Sequence, residues 1–320
     1  MRLLFITSTR IGDAVLSSGV LTEMARRHPG ARITVACGAD AAPLFAALPE
    51  LDRVIIIRKK KYGLHWLGLW AKCAPHFWRE VVDLRRSAIA FFLPTLHRRI
   101  LARGLPEGHR VEQIARGLGF DAPLGPLLWT APEHEQAARD LMGEGPPVLA
   151  VAPIANWRGK QWPSYRFITL IRRLTGPEGI LPGARVAVLG AASERVAAEP
   201  VLAEIPAERR IDLVGQADLL TALAFLRRCK LFVGNDSGLM HLAAAAGVPT
   251  LGLFGPSRDE HYAPWGTNTA VVRTPESYDE LVGQPGYDRH TATNLMDGLT
   301  VERVEEAARA LWRRSQRKSA

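Results

Sequence analysis

Short apolar runs alternate with stretches of helical periodicity along most of the chain. Such alternation predicts βαβ units and a mainly parallel sheet, because helices must cover both faces of the buried strands. Two series of units are present, so we predict an α/β protein of two doubly wound domains that face one another across a cleft. The first series predicts strands at Arg2–Thr7, Arg32–Ala36, Arg53–Ile57 and Glu80–Leu84, and helices at Asp13–Arg27, Asp40–Leu48 and Val111–Leu118.

A segment rich in Pro, Gly and acidic residues separates the two series, from position 120 to position 147, with a short predicted helix near Glu133–Met142. We therefore expect domains at 1–145 and 146–320, the first of which ends in this linker. The second series predicts strands at Val148–Ala152, Arg185–Leu189, Arg210–Leu213, Leu231–Val233 and Pro249–Phe254, and helices at Ser164–Thr175, Ser193–Ala203, Leu219–Arg228, Leu239–Ala246 and Val301–Arg314.

The composition is that of a globular protein: of 320 residues, 47% are hydrophobic and 23% are charged. The three cysteines, Cys37, Cys73 and Cys229, lie far apart in the sequence. This spacing indicates neither a disulfide framework nor a zinc site and favours a reducing compartment. No apolar stretch approaches the roughly 20 residues of a membrane-spanning helix. We therefore expect a protein that is soluble or at most peripheral on a membrane.

Positive charge is concentrated in one segment of the first domain. The net charge is +9, and the segment from Arg58 to Arg110 contains twelve Lys and Arg residues but only three acidic ones. The same segment contains Trp66, Trp70 and Trp78. A basic surface interleaved with aromatic residues is typical of contact with an anionic membrane, and nucleic acid is the competing partner. The alternative interpretation is scattered, solvated charges around tryptophans of the core.

Several common catalytic motifs are absent. The turn after the first strand has a single glycine where a dinucleotide fingerprint requires three, which disfavours an NAD- or FAD-dependent enzyme. The absence of GxxxxGK[ST], GxSxG and HExxH disfavours P-loop phosphotransferases, serine hydrolases and zinc proteases. No DxD pair occurs, which argues against a divalent metal that holds a diphosphate.

Asp13 follows the first strand in the turn Ile11-Gly12-Asp13. An aspartate at the start of a helix is commonly its cap, and spacing alone favours this interpretation. At the carboxyl end of a strand, however, a carboxylate also points into the cleft, where it can accept a proton from an attacking hydroxyl.

The start of another helix offers a binding site for phosphate. A predicted strand is followed by Asp236-Ser237-Gly238, which opens an alanine-rich helix. Free backbone N–H groups at a helix start, with the helix dipole behind them, are suited to a diphosphate. His241 lies on the same helix face as Ser237, so it reaches either the ligand or the backbone.

Two further loops follow strands of the second series. Arg158 and Lys160 are cations suited to the charge that builds on a departing diphosphate, although a solvated basic loop is the alternative. Glu194 follows a glycine turn at Gly190. Its carboxylate either caps the next helix or accepts hydrogen bonds from a ribose or a base.

Together these residues resemble glycosyltransferase family nine, the heptosyltransferases of bacterial lipopolysaccharide assembly. The resemblance implies the GT-B architecture of two Rossmann-like domains, an inverting mechanism and no metal or other cofactor. In GT-B relatives the last helix often packs back on the N-terminal domain, which is an option for the helix at 301–314. The motifs that carry the resemblance are Ile11-Gly12-Asp13, Lys160-Gln-Trp-Pro163, Gly190–Glu194, Asp236–His241, Gly247-Val-Pro and Leu253-Phe-Gly-Pro256.

The resemblance also implies roles for individual residues. Asp13 takes the position of the catalytic base, which replaces the cap interpretation. Lys160 matches the lysine that neutralises the donor diphosphate. The other donor-binding residues that it implies are Ser237, Gly238 and Leu239 through their backbone, Asp236 and His241 at the sugar and phosphates, and Glu194 near the ribose.

The substrates implied by the resemblance are ADP-heptose and an anionic, lipid-linked core oligosaccharide of lipopolysaccharide. The enzyme would then be cytoplasmic and peripheral on the inner face of the inner membrane, with no nucleic-acid partner. The residues expected to contact the acceptor or the membrane are Arg58, Lys59, Lys60, Lys61, Trp66, Trp70 and Trp78.

Two alternatives stay open. One is a related glycosyltransferase that uses another nucleotide sugar for a capsule, exopolysaccharide or protein acceptor. The other is a non-catalytic scaffold that binds a nucleotide sugar, and the presence of Asp13 argues against it.

Overall fold

The computed structural model describes residues 1–104, 107–293 and 295–319. The chain divides into two compact units, Met1–Ala131 and Pro132–Ala320. This boundary precedes the one expected at position 145, so the helix at Pro132–Met142 belongs to the second unit.

The first unit is built on a five-stranded parallel sheet. Its elements are β1 (Arg2–Ile6), α1 (Ile11–Arg27), β2 (Arg32–Cys37), β3 (Leu51–Ile56), α2 (Leu64–Cys73), β4 (Trp78–Asp83), β5 (Thr95–Ile100) and α3 (Arg110–Gly117). The strand order is β3-β2-β1-β4-β5, so the direction of winding reverses between β1 and β4. Ligands of doubly wound sheets bind at such a reversal, outside the carboxyl ends of the strands.

The second unit is built on a six-stranded parallel sheet with the order β11-β10-β9-β6-β7-β8, which reverses between β9 and β6. Its elements are α4 (Pro132–Met142), β6 (Val148–Ala152), α5 (Ser164–Thr175), β7 (Arg185–Gly190), α6 (Arg195–Ala203), β8 (Arg210–Val214), α7 (Leu219–Leu226), β9 (Leu231–Asn235), α8 (Gly238–Ala246), β10 (Thr250–Phe254), α9 (Asp259–Tyr262), β11 (Thr269–Arg273), α10 (Tyr278–Val282) and α11 (Val301–Ser319).

The central strands are buried on both faces. All five residues of β6 are buried, as are the last four of β1. This explains why they are continuous apolar runs rather than alternating ones, since helices cover both sides of a parallel sheet. Among the described residues, no helix combines the length and apolarity that a bilayer-spanning segment needs.

The last helix packs within the second unit. Val304, Ala308 and Leu311 recur at helical spacing and are buried in the core of that unit. Arg173 on α5 adds ion pairs to Glu302 at 2.9 Å and to Glu305 at 3.1 Å. The apolar stripe of this helix is therefore buried against the second sheet, and the option that the helix also packs on the first domain stays a prediction.

Some elements differ from the sequence-based expectation. The helix expected at 40–48 is only a short 3₁₀ turn, Ala42–Phe45. Two edge strands, β5 and β11, were not predicted, because neither shows the continuous apolar run of the central strands. The helix α2 was also missed, because its sequence is apolar almost throughout and shows no amphipathic period.

All three cysteines are buried as free thiols. Burial raises the pKa of the Cys37 thiol to about 12. Burial also raises the pKa of Cys73, to about 11, against the opposing effect of nearby Arg53. The pKa of Cys229 is raised for the same reason.

Candidate functional site

Asp13 lies in the first turn of α1, at the carboxyl end of β1 and thus where the winding of the first sheet reverses. Its Oδ2 accepts a hydrogen bond from Ser8 Oγ at 3.3 Å, and the residue is half-buried. The N-cap of α1 is Arg10, so Asp13 is not the cap. Among the described residues the carboxylate therefore has one weak hydrogen-bond partner, and its exposed side is available to a ligand.

The loop that carries Ser8 is held by a close backbone approach that sequence reasoning missed. The backbone N–H of Gly38, just after β2, donates to Ser8 O at 3.2 Å. A Cβ on Gly38 would lie 2.5 Å from the Cα of Thr9, so only glycine fits there. Gly38 thereby helps to fix the partner of Asp13.

Four of the predicted donor-binding residues come together at the reversal point of the second sheet. Lys160 follows β6 and forms an ion pair with Asp236, which follows the neighbouring strand β9. His241 on α8 is buried, and its Nε2 lies 4.0 Å from Asp236 Oδ1. Ser237 is the N-cap of α8. We call these residues, Lys160, Asp236, Ser237 and His241, the donor cluster.

Ser237 leaves the start of α8 open. Its side chain makes no capping hydrogen bond. Its Oγ is buried and has no hydrogen-bond partner among the described residues. The first-turn N–H groups, including those of Gly238 and Leu239, have no intrahelical partner because of helix geometry. The helix start is therefore a concentration of uncommitted donors with the positive end of a helix dipole behind them.

Asn235 holds the donor cluster in place and was not found from the sequence. It is fully buried at the end of β9. Its Oδ1 accepts from the backbone N–H of Trp162 at 3.1 Å, and its Nδ2 donates to Pro153 O at 2.7 Å. These bonds fasten both ends of the loop that carries Lys160. A polar residue directly after a buried apolar strand is the signal that could have identified it.

A second hydroxyl group lies after the next strand. Ser257 follows β10, is buried, and its Oγ lacks a hydrogen-bond partner among the described residues. Ser257 directly follows the sequence motif Leu253-Phe-Gly-Pro256, and its hydroxyl was not predicted to be part of a site.

Two other residues that the sequence singled out for the donor lie outside the donor cluster. Glu194 Oε2 accepts from the backbone N–H of Ala191 at 2.7 Å, which is a local capping interaction. Its assignment to a ribose stays a prediction. Arg158 is exposed, lies two residues before Lys160 in the same 3₁₀ turn, and is not part of the donor cluster. Over the described part of the chain, no group of three or more His, Cys, Asp or Glu side chains is placed to hold a metal ion.

The basic segment of the first unit is only partly as predicted. Arg58, Lys59, Lys60 and Lys61 follow β3 and are exposed. Trp70 is exposed and Trp66 is half-buried. Trp78 is fully buried, and its Nε1 donates to Cys73 O at 3.0 Å. The prediction that Trp78 contacts the acceptor or the membrane is therefore wrong, because this residue begins β4 and packs in the core.

Comparison with known proteins identifies the family. The model for "Glycosyltransferase family 9 (heptosyltransferase)" matches residues 109–284. Lipopolysaccharide heptosyltransferase 2 of Salmonella typhimurium is 26% identical in an alignment that covers 97% of this chain and 98% of that protein.

Solved structures show the same fold. The glycosyl transferase family 9 protein from Veillonella parvula has a TM-score of 0.79 at 20% identity, over 98% of this chain and 97% of that one. The E. coli ADP-heptose lps heptosyltransferase II has a TM-score of 0.73 at 24% identity, over 99% and 100%. The predicted GT-B class, with two Rossmann-like domains, is thus confirmed. Since the family match spans more than half of the 320 residues, the chain belongs to glycosyltransferase family 9 and is a glycosyltransferase.

Proposed function

We propose that this enzyme transfers heptose from ADP-heptose to an anionic inner-core acceptor of lipopolysaccharide, with inversion at the anomeric carbon and without a metal or other cofactor. The observation that carries the proposal is the donor cluster at the reversal point of the second sheet. The names of the relatives, lipopolysaccharide heptosyltransferase 2 and ADP-heptose lps heptosyltransferase II, support the choice of donor and acceptor.

The donor cluster is suited to a diphosphate. The Lys160 ammonium has three N–H donors, and its pairing with Asp236 leaves the others for phosphate oxygens. The pairing also keeps the ammonium next to the start of α8, where the first-turn N–H groups lack intrahelical partners and Ser237 Oγ has no hydrogen-bond partner among the described residues. Lysine and helix terminus together supply the positive charge that a leaving ADP requires.

In the proposed reaction Asp13 removes the proton of the acceptor hydroxyl as its oxygen attacks the anomeric carbon. The new carbon–oxygen bond forms on the face opposite ADP. The bond from the anomeric carbon to the phosphate oxygen breaks, and ADP departs with the electron pair of that bond. The half-buried position of the Asp13 carboxylate in the first turn of α1 is suited to this role. Asp236 and His241 would face the sugar and phosphates, and Glu194 the ribose.

Because the acceptor is carried on a lipid, we propose that the enzyme is cytoplasmic and peripheral on the inner face of the inner membrane, with no nucleic-acid partner. The exposed Arg58, Lys59, Lys60 and Lys61 supply positive charge for an anionic acceptor or lipid surface, with Trp66 and Trp70 beside them. Charge reversal of Lys59, Lys60 and Lys61 together should then weaken membrane association.

The test is nucleotide release from ADP-, UDP- and GDP-sugars with a deep-truncated lipopolysaccharide acceptor, for the wild type, Asp13→Asn and the exposed control Asp121→Asn. We expect release from ADP-heptose alone, dependent on acceptor and unaffected by EDTA. Asp13→Asn should lower the rate about 10²–10⁴-fold without loss of donor binding, whereas Asp121→Asn should not.

Other outcomes of this assay would contradict parts of the proposal. Release from a different donor would overturn the choice of ADP-heptose. Strict dependence on Mg²⁺ or Mn²⁺ would overturn the metal-independent mechanism. Donor binding without turnover for any sugar would favour a scaffold.

A further inference from the structure

The helix α2 is apolar on the side that faces solvent. Its sequence, LHWLGLWAKC, has no acidic residue and one lysine. Leu69 and Cys73 are buried in the core of the first unit. On the opposite side, Leu64 is 55% exposed and Leu67 is 61% exposed. A helix on a protein surface ordinarily turns charged or polar residues outward, so the outward side of α2 is of the wrong polarity for water.

The outward residues of α2 form a regular stripe. Leu64, Leu67, Gly68 and Ala71 are all exposed and stand at positions i, i+3, i+4 and i+7. This is the spacing that lines one side of a helix. The stripe is therefore a continuous apolar surface and not a single exposed leucine, which would need no explanation.

A neighbouring 3₁₀ turn, Ala88–Phe92, extends this surface. Phe91 is 64% exposed and Phe92 is 71% exposed. The turn is fastened to α2, because Trp70 Nε1 donates to Phe92 O at 3.1 Å. We call Leu64, Leu67, Trp70, Phe91 and Phe92 the α2 face.

The surroundings of the α2 face are cationic. Residues 53–79 contain no Asp or Glu, and residues 84–106 contain none either. The exposed run Arg58–Lys61 leads into α2, and Lys72 lies at its end. No carboxylate in the described part of the chain forms an ion pair with any of these five cations. The Arg85 guanidinium also lies near α2, with its Cζ 5.8 Å from the centre of the Trp66 ring.

We propose that the α2 face inserts shallowly into an anionic lipid bilayer, with the surrounding cations at the level of the headgroups. The argument is charge complementarity: apolar side chains within a cationic border that lacks carboxylates match the interior and the headgroups of an anionic leaflet. The inference rests on the proposed function, because a lipid-linked acceptor gives the enzyme a reason to stay at a membrane. It replaces the buried Trp78 with residues that the sequence did not single out, namely Leu64, Leu67, Phe91 and Phe92.

The test is co-sedimentation of the purified full chain with vesicles that contain no acceptor. One set of vesicles is phosphatidylcholine alone, and the other is an equimolar mixture of phosphatidylethanolamine and phosphatidylglycerol. We expect binding to the anionic vesicles, weakened by salt, and little binding to phosphatidylcholine. The double variant Leu64→Ser, Leu67→Ser should bind the anionic vesicles at least about tenfold more weakly than the wild type.

A matched control removes an exposed apolar side chain elsewhere. Val196 on α6 is 87% exposed, and Val196→Ser should bind the anionic vesicles as the wild type does. The same proteins are then assayed on an acceptor freed of its acyl chains. There the Leu64→Ser, Leu67→Ser variant should retain wild-type transfer, which shows that it is folded.

Each contrary result has one meaning. Unchanged vesicle binding by Leu64→Ser, Leu67→Ser would overturn the insertion of the α2 face. Equal binding to both kinds of vesicle would overturn the role of anionic lipid. A wild type that is a dimer and a variant that is a monomer would assign the surface to a second copy of the chain instead. Absence of transfer to the acyl-free acceptor by the wild type would overturn the proposed function, and vesicle binding would be judged separately.

Discussion

The donor cluster and the α2 face differ in which side chains lie in an unfavourable environment: polar side chains are buried in the donor cluster, and apolar side chains are exposed in the α2 face. In the donor cluster, charged and polar side chains are withdrawn from water and fastened to one another, as in the pair between Lys160 and Asp236. In the α2 face, apolar side chains such as Leu67 and Phe92 are presented to water. Buried polar groups are stable when they are paired, whereas exposed apolar groups are stabilised only when something covers them.

The difference teaches how each kind of surface is made. A site that acts on phosphate oxygens needs hydrogen-bond donors at fixed distances. Buried hydrogen bonds, such as those of Asn235, hold these donors in place. A surface for a fluid bilayer needs no fixed distances. It needs apolar area and surrounding charge, and the leucines of α2 supply apolar area.

Among the changes that test this contrast, the largest effect should come from breaking the donor cluster at Lys160. Lys160→Ala removes a cation of the proposed phosphate site and leaves Asp236 without its ion-pair partner. We expect kcat/KM for the donor to fall about 10²–10³-fold, as for the loss of one preorganised charge-stabilising donor. Steady-state kinetics with the exposed control Lys230→Ala measures this. A variant that loses less than threefold would remove Lys160 from the donor site.

A smaller effect, on stability, should follow from Asn235→Ala. This change leaves the backbone N–H of Trp162 and the carbonyl of Pro153 without their partner in a buried place. We expect the free energy of unfolding to fall by about 2–4 kcal/mol. Urea denaturation measures it, with Asn268→Ala, at a half-buried asparagine directly before β11, as the control. Equal losses in the two variants would show that Asn235 does not hold the site.

Charge reversal beside the α2 face should do the opposite of Asn235→Ala: it should weaken binding and leave stability unchanged. Changing Lys59, Lys60 and Lys61 to Glu should weaken binding to anionic vesicles about 100-fold, because each cation contributes about 1 kcal/mol near such a surface. The free energy of unfolding should stay within about 0.5 kcal/mol of wild type, since these side chains are exposed. Loss of stability here, or indifference of vesicle binding, would contradict the contrast between the two regions.

The smallest effect belongs to a helix cap outside both regions. Asp218 caps α7, where its Oδ1 accepts from the N–H groups of Leu220 and Thr221, both at 2.9 Å. Partial burial acts to raise the pKa of Asp218, but these bonds and that of the Thr221 hydroxyl outweigh it, so the pKa lies below its usual value. The carboxylate form therefore stabilises the fold above about pH 4, and this contribution is lost as the pH falls through the lowered pKa.

Asp218→Ala should accordingly lower the free energy of unfolding by about 1 kcal/mol at pH 7 and by less below about pH 4. Urea denaturation at several pH values measures the difference. A loss that is the same at pH 3 and pH 7 would show that the charge of the cap contributes nothing.

Much of the second unit could be predicted from the sequence. Val148–Ala152 and Ser164–Thr175 are found at the predicted bounds, because a short apolar run and an amphipathic period are strong local signals. Lys160 and Asp236 were each singled out, but their ion pair was not. The two residues are 76 positions apart and meet only because β6 and β9 are neighbours in the sheet.

The first unit was harder to predict. The aromatic and basic residues near α2 were singled out from the sequence, but composition does not say which tryptophan is buried. Trp78 begins a strand and packs inward, whereas Trp70 lies on the exposed helix. The exposed phenylalanines were missed because apolar residues are ordinarily assigned to a core, and only the three-dimensional structure shows that Phe91 and Phe92 are outside it.

The burial of the three cysteines has a practical consequence. Thiols with raised pKa values are almost entirely protonated near neutral pH, and the thiolate is the form that reacts with maleimides. The native chain should therefore take up little label. A single cysteine introduced at Leu67 or at Val196 would then carry a fluorophore at a known place, so that the polarity around each surface could be followed separately.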